Sequence, residues 1–441
     1  MKYDKFFALA KEAGIEECEL SFSTSTSLEF SLFHGEIDNY STNSSSFYMA
    51  RGIYKGKMGA VTSDVYNKDS AELFVKKIIE NASVIENDDP VFIFKGSEKY
   101  RKINTFNKEL GNIPVDEKLN KLYELEKKIK DADSRIVEIQ TVGYEESSGS
   151  STILNSHGLK LVQRNNHFVY YGGAVAKEGE QVKTGFDIAF GNDFSKFDVD
   201  ELAKSIAKET TSQLGGYPCE SSTYKAVLSP DVVATFMGAY ISSACAEDVQ
   251  KNSSLFVGKL NQKVASRKVT IEDKPLQRSI FAKTFDDEGV ATQNLHIIKN
   301  GVLQNYLYNM TTAAKEGIES NGHGVTGGGS KVGTTTWYLE MKPGKKSQEE
   351  LFKEVGNGVY ITDVQGVHAG LNARSGNFSL QSSGFMIENG KVTHGLDIIT
   401  VSGNLVDLFN SIIEVGSDSK EFVSGKKCPS VIIKKIAVSG K

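Results

Sequence analysis

The sequence predicts an α+β protein. An N-terminal α/β part of duplicated helix, antiparallel sheet, helix units is followed by a β-rich C-terminal part. Three observations carry this reading. Long stretches alternate polar and apolar residues, the period of half-exposed strands, and amphipathic segments bracket them. The order helix, strands, helix occurs twice before Gly215. Beyond Ser222 the composition shifts to Gly, Thr and Val, and Asn300-Gly301 and Asn389-Gly390 each stand between apolar runs, where Asn-Gly supplies the positive φ angles of a tight hairpin.

Taken in order, Lys5 to Ala13 form a short amphipathic helix, and Glu17 to Phe33 a long half-exposed strand rich in Ser, Thr and Phe. His34-Gly35-Glu36 makes a turn into a strand over Ile37 to Ser41. Ser46 to Tyr54 and Lys57 to Thr62 follow as two more strands around Lys55-Gly56. A helix led by Asn67-Lys68-Asp69-Ser70 closes the unit, with Ala71, Phe74, Val75, Ile78 and Ile79 as its apolar face. Asn87 to Pro114 is a long, loosely patterned connection of the kind that serves as a flap or partner contact. The order then returns: helix Val115 to Ala132, strand Arg135 to Glu146, hairpin Ser151 to Val162, strands His167 to Ala176 and Val182 to Phe190, and helix Val199 to Gln213. These repeats (1–86 and 115–214) define an N-terminal domain over 1–218, ending at Gly215-Gly216-Tyr217-Pro218, and leave 219–441 as the second domain.

The C-terminal part opens on a short strand, Ala226 to Leu228. Ser229, Pro230 and Asp231 then give a capping hydroxyl, a proline at the first helical position and an acid facing the helix dipole. Val233, Met237, Tyr240 and Ala244 recur at three- and four-residue spacing, so the helix turns a broad apolar face to the core. It carries no histidine. Leu405 to Ile412 is expected as a helix capped by Asn404, and Ser430 to Ala437 as a terminal strand, with the Pro230 helix lying on or through the sheet.

Composition excludes several classes. A chain of 441 residues, 39% apolar and 24% charged, has the makings of an ample core, so disorder is excluded. No apolar run approaches membrane-spanning length, and MKYDKFFALAKEAG lacks the apolar centre of a signal peptide, so a cytoplasmic protein is expected. Cys18, Cys219, Cys245 and Cys428 are far apart without a C-x-x-C pair, so they read as buried free thiols. A net charge of -5 argues against nucleic acid as a direct partner, and Lys426, Lys427, Lys434 and Lys435 read as a solvated strand edge.

Candidate chemistry concentrates in the second half. Asn321 to Thr336, NGHGVTGGGSKVGTTT, is neither a P-loop nor a dinucleotide fingerprint. Its glycines let another backbone approach closely, so Gly324, Gly327, Gly328 and Gly329, with His323, are candidates for a peptide cavity or a subunit contact. His323, His368, His394 and Cys428 could converge on a metal, yet their spacing matches no local ligand motif, and turn histidines held by backbone are the alternative. Asp286-Asp287-Glu288 before Gly289 offers paired carboxylates or, more simply, a turn. No G-x-S-x-G elbow is present.

The stretches SSLFVGKLNQKVAS, TFDDEGVATQNLHIIKNGVLQNYL, GHGVTGGG, FSLQSSGFMIENGK, SGNLVDLFNSIIEVGSD and CPSVIIKKIAVSG resemble, in number and order, the TldD/PmbA family, also called modulators of DNA gyrase. The resemblance implies a cytosolic prokaryotic zinc-protease system acting on unfolded peptides such as peptide-antibiotic precursors and antitoxins. Its TldD branch holds zinc through an H-E-x-x-x-H helix and a C-terminal cysteine. Set against that motif, Met237 falls at the first histidine, Gly238 at the glutamate and Ser242 at the second histidine, with Cys428 in the cysteine region. A thioether and a hydroxyl do not replace two imidazoles, and glycine is no general base. The resemblance therefore points to the TldE/PmbA-like branch: no catalytic residue and no cofactor in this chain, zinc in a TldD-like partner, and a heterodimer with it. The alternatives are an autonomous peptidase with an unconventional metal site and a homodimeric, non-catalytic peptide-binding protein.

Overall fold

The computed structural model describes residues 3–441. Its N-terminal part is built on one continuous six-stranded antiparallel sheet of β1 (Glu17–Phe33), β2 (Glu36–Tyr54), β3 (Lys57–Ser63), β4 (Ile136–Asn155), β5 (Lys160–Glu178) and β6 (Gln181–Gly191), in the order β3-β2-β1-β4-β5-β6. Helices α1 (Asp4–Glu12) and α2 (Ser70–Ala82) flank the first three strands in sequence, α3 (Val115–Ala132) and α4 (Val199–Thr211) the next three. At about 3.3 Å per residue β1 is roughly 55 Å long, too long for one core to cover. It serves two. Leu20 packs with Phe6, Phe74 and Ile78, and further along Phe30 and Leu32 pack with Leu122, Tyr144 and Ile206.

Two strand readings need correction. Ile37 to Ser41 and Ser46 to Tyr54 are one strand, β2, and the segments proposed between Arg135 and Ala176 are the two long strands β4 and β5. Runs of Ser and Thr favour turns because their hydroxyls compete for backbone groups. Here the hydroxyls pair across the strands instead, Thr24 with Ser150 at 3.1 Å and Ser25 with Ser147 at 3.4 Å, so the ladder runs on unbroken. The connection from Asn87 to Pro114 is a strap. Ile93 is buried with Ile53 and Met58, Asn155 Nδ2 donates to the Phe94 carbonyl at 2.6 Å, and the Tyr100 hydroxyl donates to the Gly289 carbonyl at 2.8 Å.

The C-terminal part contains a barrel and a second sheet. Strand β7 (Ser222–Leu228) pairs in parallel with Gly358–Gln365, which continues antiparallel into Asn377–Glu388 and Lys391–Asn404. Strand Val431–Ser439 pairs with β7 on one side and with Lys391–Asn404 on the other, which closes the barrel. The second sheet contains Ile271–Asp273, Leu339–Met341, Lys426–Cys428 and Lys420–Phe422 as neighbours. Helix α5 (Pro230–Ile241) lies between the two, against β7 and Gly358–Gln365 of the barrel and Lys426–Cys428 of the sheet. The Ser229 hydroxyl caps it by accepting from the Val232 N–H at 3.3 Å. Strand Lys426–Cys428 is paired on both sides, so Lys426 and Lys427 do not stand on an edge as the sequence reading had them. No helix of the described residues is long and apolar enough to cross a membrane.

Candidate functional site

Two places compete for attention: the surface of α5 and a cleft between the two parts of the chain. On α5, Met237 is fully buried, in one core with Val233, Tyr240, Leu303 and Phe409. A Cβ on Gly238 would lie 2.9 Å from both Cε and Nζ of Lys426, so that lysine lies where a side chain at 238 would stand. Ser242 is exposed and its hydroxyl donates to the Ala239 carbonyl at 2.8 Å. Cys428 is buried, which pushes its thiol well above the ordinary range, and its Sγ donates to the Pro230 carbonyl at 3.1 Å. Zinc wants imidazole, thiolate or carboxylate donors. A core thioether, a glycine and a hydroxyl bonded to its own helix do not fit that ion. Among the described residues no group of three or more His, Cys, Asp and Glu could hold a metal.

The histidines are apart in role. His323 is completely buried, its Nε2 3.1 Å from Asp273 Oδ2 and its Nδ1 2.9 Å from Asn321 Oδ1. Asp273 in turn accepts from the N–H groups of Trp337 and Tyr338. His323 thus fixes the root of the Gly-rich loop, with both ring nitrogens turned to Asp273 and Asn321. His368 is exposed on a short helical turn, and His394 stacks on Tyr217 with ring centroids 4.2 Å apart. Within the loop, Gly324–Thr326 and Val332–Thr334 form a small antiparallel hairpin. Gly324 sits so close to acids that a Cβ would meet Glu288 Oε2 at 2.6 Å and Asp286 Oδ2 at 3.0 Å. Gly327 and Gly329 face open space, while Gly328, at φ +84°, leans towards Phe47 and Thr62 of the N-terminal sheet.

Beneath this hairpin lies a cavity of about 550 Å³. Its walls come from β2 and β3 (Arg51, Met58), the strap (Val91, Phe92), Glu288, helix Met310–Lys315 and the loop residues Ser330 to Val332. The loop contributes through this segment rather than through its glycines. Lys331 pairs with Glu247 at 2.6 Å, and Asn309 Nδ2 donates to the Val332 carbonyl at 2.7 Å, which ties the loop over the opening.

The floor is a buried charged network. Arg51 Nη2 donates to Glu19 Oε1 at 2.7 Å, with 2% and 0% of the two residues exposed. The turn acids do form a turn: Asp286 Oδ1 accepts from the N–H groups of Glu288 and Val290, both at 2.9 Å, and its Oδ2 from that of Gly324 at 2.8 Å. The same turn delivers Glu288, whose Oε2 accepts from the Met310 N–H at 2.8 Å, to the cavity wall. Burial raises all three carboxyls, Glu19, Asp286 and Glu288. For Asp286 the neighbouring Glu288 adds to the rise, and for Glu19 and Glu288 the Arg51 charge opposes it. Sequence reasoning missed Glu19 and Arg51. Counted from the His34-Gly35 turn, Glu19 would oppose Ala50, but a bulge at Ser31/Leu32 shifts the register by one and puts Arg51 opposite it.

This architecture is that of a metallopeptidase family. Models of the PmbA/TldA metallopeptidase match in three consecutive pieces: domain 1 over residues 18–82, the central domain over 108–214 and the C-terminal domain over 221–440. The chain belongs to the PmbA/TldD family. It is 31% identical to a Thermotoga maritima protein described as a modulator of a DNA gyrase, whose crystal structure superposes with a TM-score of 0.92 over 99% of both chains. The crystal structure of TldE from Thermococcus kodakarensis shares the fold, with a TM-score of 0.91 at 23% identity over 100% of both chains. Metalloprotease PmbA of Escherichia coli O157:H7 is 24% identical over 429 residues, 96% of this chain and 92% of that protein.

Proposed function

We propose that this chain is the metal-free, TldE/PmbA-like subunit of a heterodimeric zinc peptidase, and that it guides unfolded peptides to a TldD-like partner. The observation that carries the reading is the state of α5. At the three positions where the catalytic branch has its motif stand a fully buried Met237, a Gly238 overlain by Lys426, and an exposed Ser242 bonded to its own helix. A packed apolar residue cannot be turned into a ligand without opening the core, so the site is replaced rather than latent. The TldE neighbour fits this assignment. Dimer formation, cytoplasmic location and a prokaryotic setting belong to the same proposal, as does action on peptide-antibiotic precursors or antitoxins.

The test is metal analysis and a peptidase assay on the purified chain, with and without added zinc. No stoichiometric zinc and no cleavage are expected. About one zinc per chain, lost on mutating His323 or Cys428, would instead establish an autonomous peptidase.

A further inference from the structure

Arg51 is anchored through one nitrogen only. Its Nη2 is held by Glu19, while Nε is buried without a hydrogen-bond partner, and no acceptor among the described residues bonds Nη1. The residue is 2% exposed and yet lines the cavity of about 550 Å³. The lysines around the rim are committed: Lys57 to Asp88 at 2.6 Å, Lys251 to Glu247 at 2.5 Å, Lys315 to Asp89 at 2.5 Å and Lys331 to Glu247 at 2.6 Å. Arg51, paired with Glu19 from behind, is therefore the cation of the wall that keeps N–H donors without an acceptor, and a guanidinium N–H is a donor suited to a carboxylate. Glu288 stands in the same wall, but no ion pair joins it to Arg51, so it does not take up those donors.

We propose that this cavity is a subsite for the C-terminal carboxylate of a peptide, bound by the free N–H donors of Arg51. The inference rests on the peptide-guiding reading above and names the part of the peptide that is held. Its size lies within the usual range for ligand pockets and far exceeds a lone carboxylate. Met58, Val91 and Phe92 line it beside Arg51 and suit an apolar last side chain. Because Arg51 lies at a buried wall, a chain end reaches it where the middle of a chain does not.

The experiment is calorimetric titration of the intact chain with an N-acetylated tetrapeptide of three alanines ending in leucine, as the free acid and as the C-terminal amide. Two further arms are the amide with an internal glutamate and sodium acetate alone. The free acid is expected to bind at least tenfold tighter than either amide, and acetate to compete only weakly. Arg51→Lys keeps a charge for Glu19 but removes the guanidinium and should abolish that preference. Lys331→Gln, at an exposed rim position, removes one of the contacts that tie the loop over the opening and should weaken the free acid severalfold while the core stays intact. Equal binding of acid and amide overturns the subsite and leaves peptide guiding intact. Tighter binding of the internal-glutamate amide, or binding by acetate alone, overturns it in favour of a side-chain or small-acid site. Binding of neither peptide also overturns it, while the subunit assignment is judged separately by reconstitution with the partner.

Discussion

Met237 is the residue on which the functional reading turns, and its environment is apolar on every side that the core defines. Met237→Lys would bury an unpaired charge and should destabilise by several kcal/mol. Met237→Leu conserves volume and should cost less than about 1.5 kcal/mol. Denaturant melts of the two variants separate these outcomes, and equal tolerance of both would mean that the helix faces solvent. Gly238→Glu asks a sharper question. The atoms that its side chain would meet are the flexible end of Lys426, so the variant should fold with a stability change within about 1 kcal/mol and pair with that lysine. Restoring the carboxylate alone should restore no peptidase activity, and appreciable hydrolysis by this variant would contradict the assignment. The burial of Met237 on the apolar face of α5 was legible in the sequence because it follows from a local period. Glu19 and Arg51 were not, because a bulge in the hairpin decides which residue faces which.

At the level of elements, α2 rides directly on β3. A Cβ on Gly59 would stand 2.0 Å from the Ile78 carbonyl oxygen, which belongs to the helix backbone and cannot swing aside. Gly59→Ala should therefore push α2 off the sheet and cost several kcal/mol, where Gly56→Ala, with nothing near its Cβ position and φ +72°, carries only a backbone penalty of about 1 kcal/mol. Thermal melts showing the reverse order would contradict the packing described. Elements with a clear period, such as α2, α3 and α5, were legible with close boundaries. The whole of β1 was legible as well, from Glu17 to Phe33, but the serine-rich middles of β2 and β4 were not; in β4 the hydroxyl pairs that stand in place of a turn join residues more than a hundred positions apart. The repeated order around β1 and β4 supports our proposal that 1–86 and 115–214 are duplicated units within an N-terminal domain of 1–218.

For the whole molecule, the closing of the barrel by Val431–Ser439 and the cleft between the two parts depend on long-range pairing, which composition and periodicity do not encode. That cleft has an electrostatic consequence. Asp286 and Glu288 are held above their ordinary values of 3.8 and 4.5, so folding binds protons that the unfolded chain has released. Their contribution is most favourable below the unfolded values and is lost as pH rises from there through the raised folded values. Glu288→Gln removes one such group and leaves an acceptor for the Met310 N–H. Any stability advantage of the wild type over this variant should shrink between pH 4.5 and pH 8 in urea melts, and an advantage that grows with pH would contradict the burial of Glu288.

The central claim is that this chain works as the non-catalytic half of a pair. The direct measurement is to purify it together with a TldD-like protein from the same cell, then assay zinc and cleavage of unfolded peptides for each chain alone and for the complex. The account predicts a stable complex that cleaves, with zinc confined to the partner and no activity in this chain by itself. Peptide cleavage by this chain alone, or full activity of the partner regardless of its presence, would contradict it.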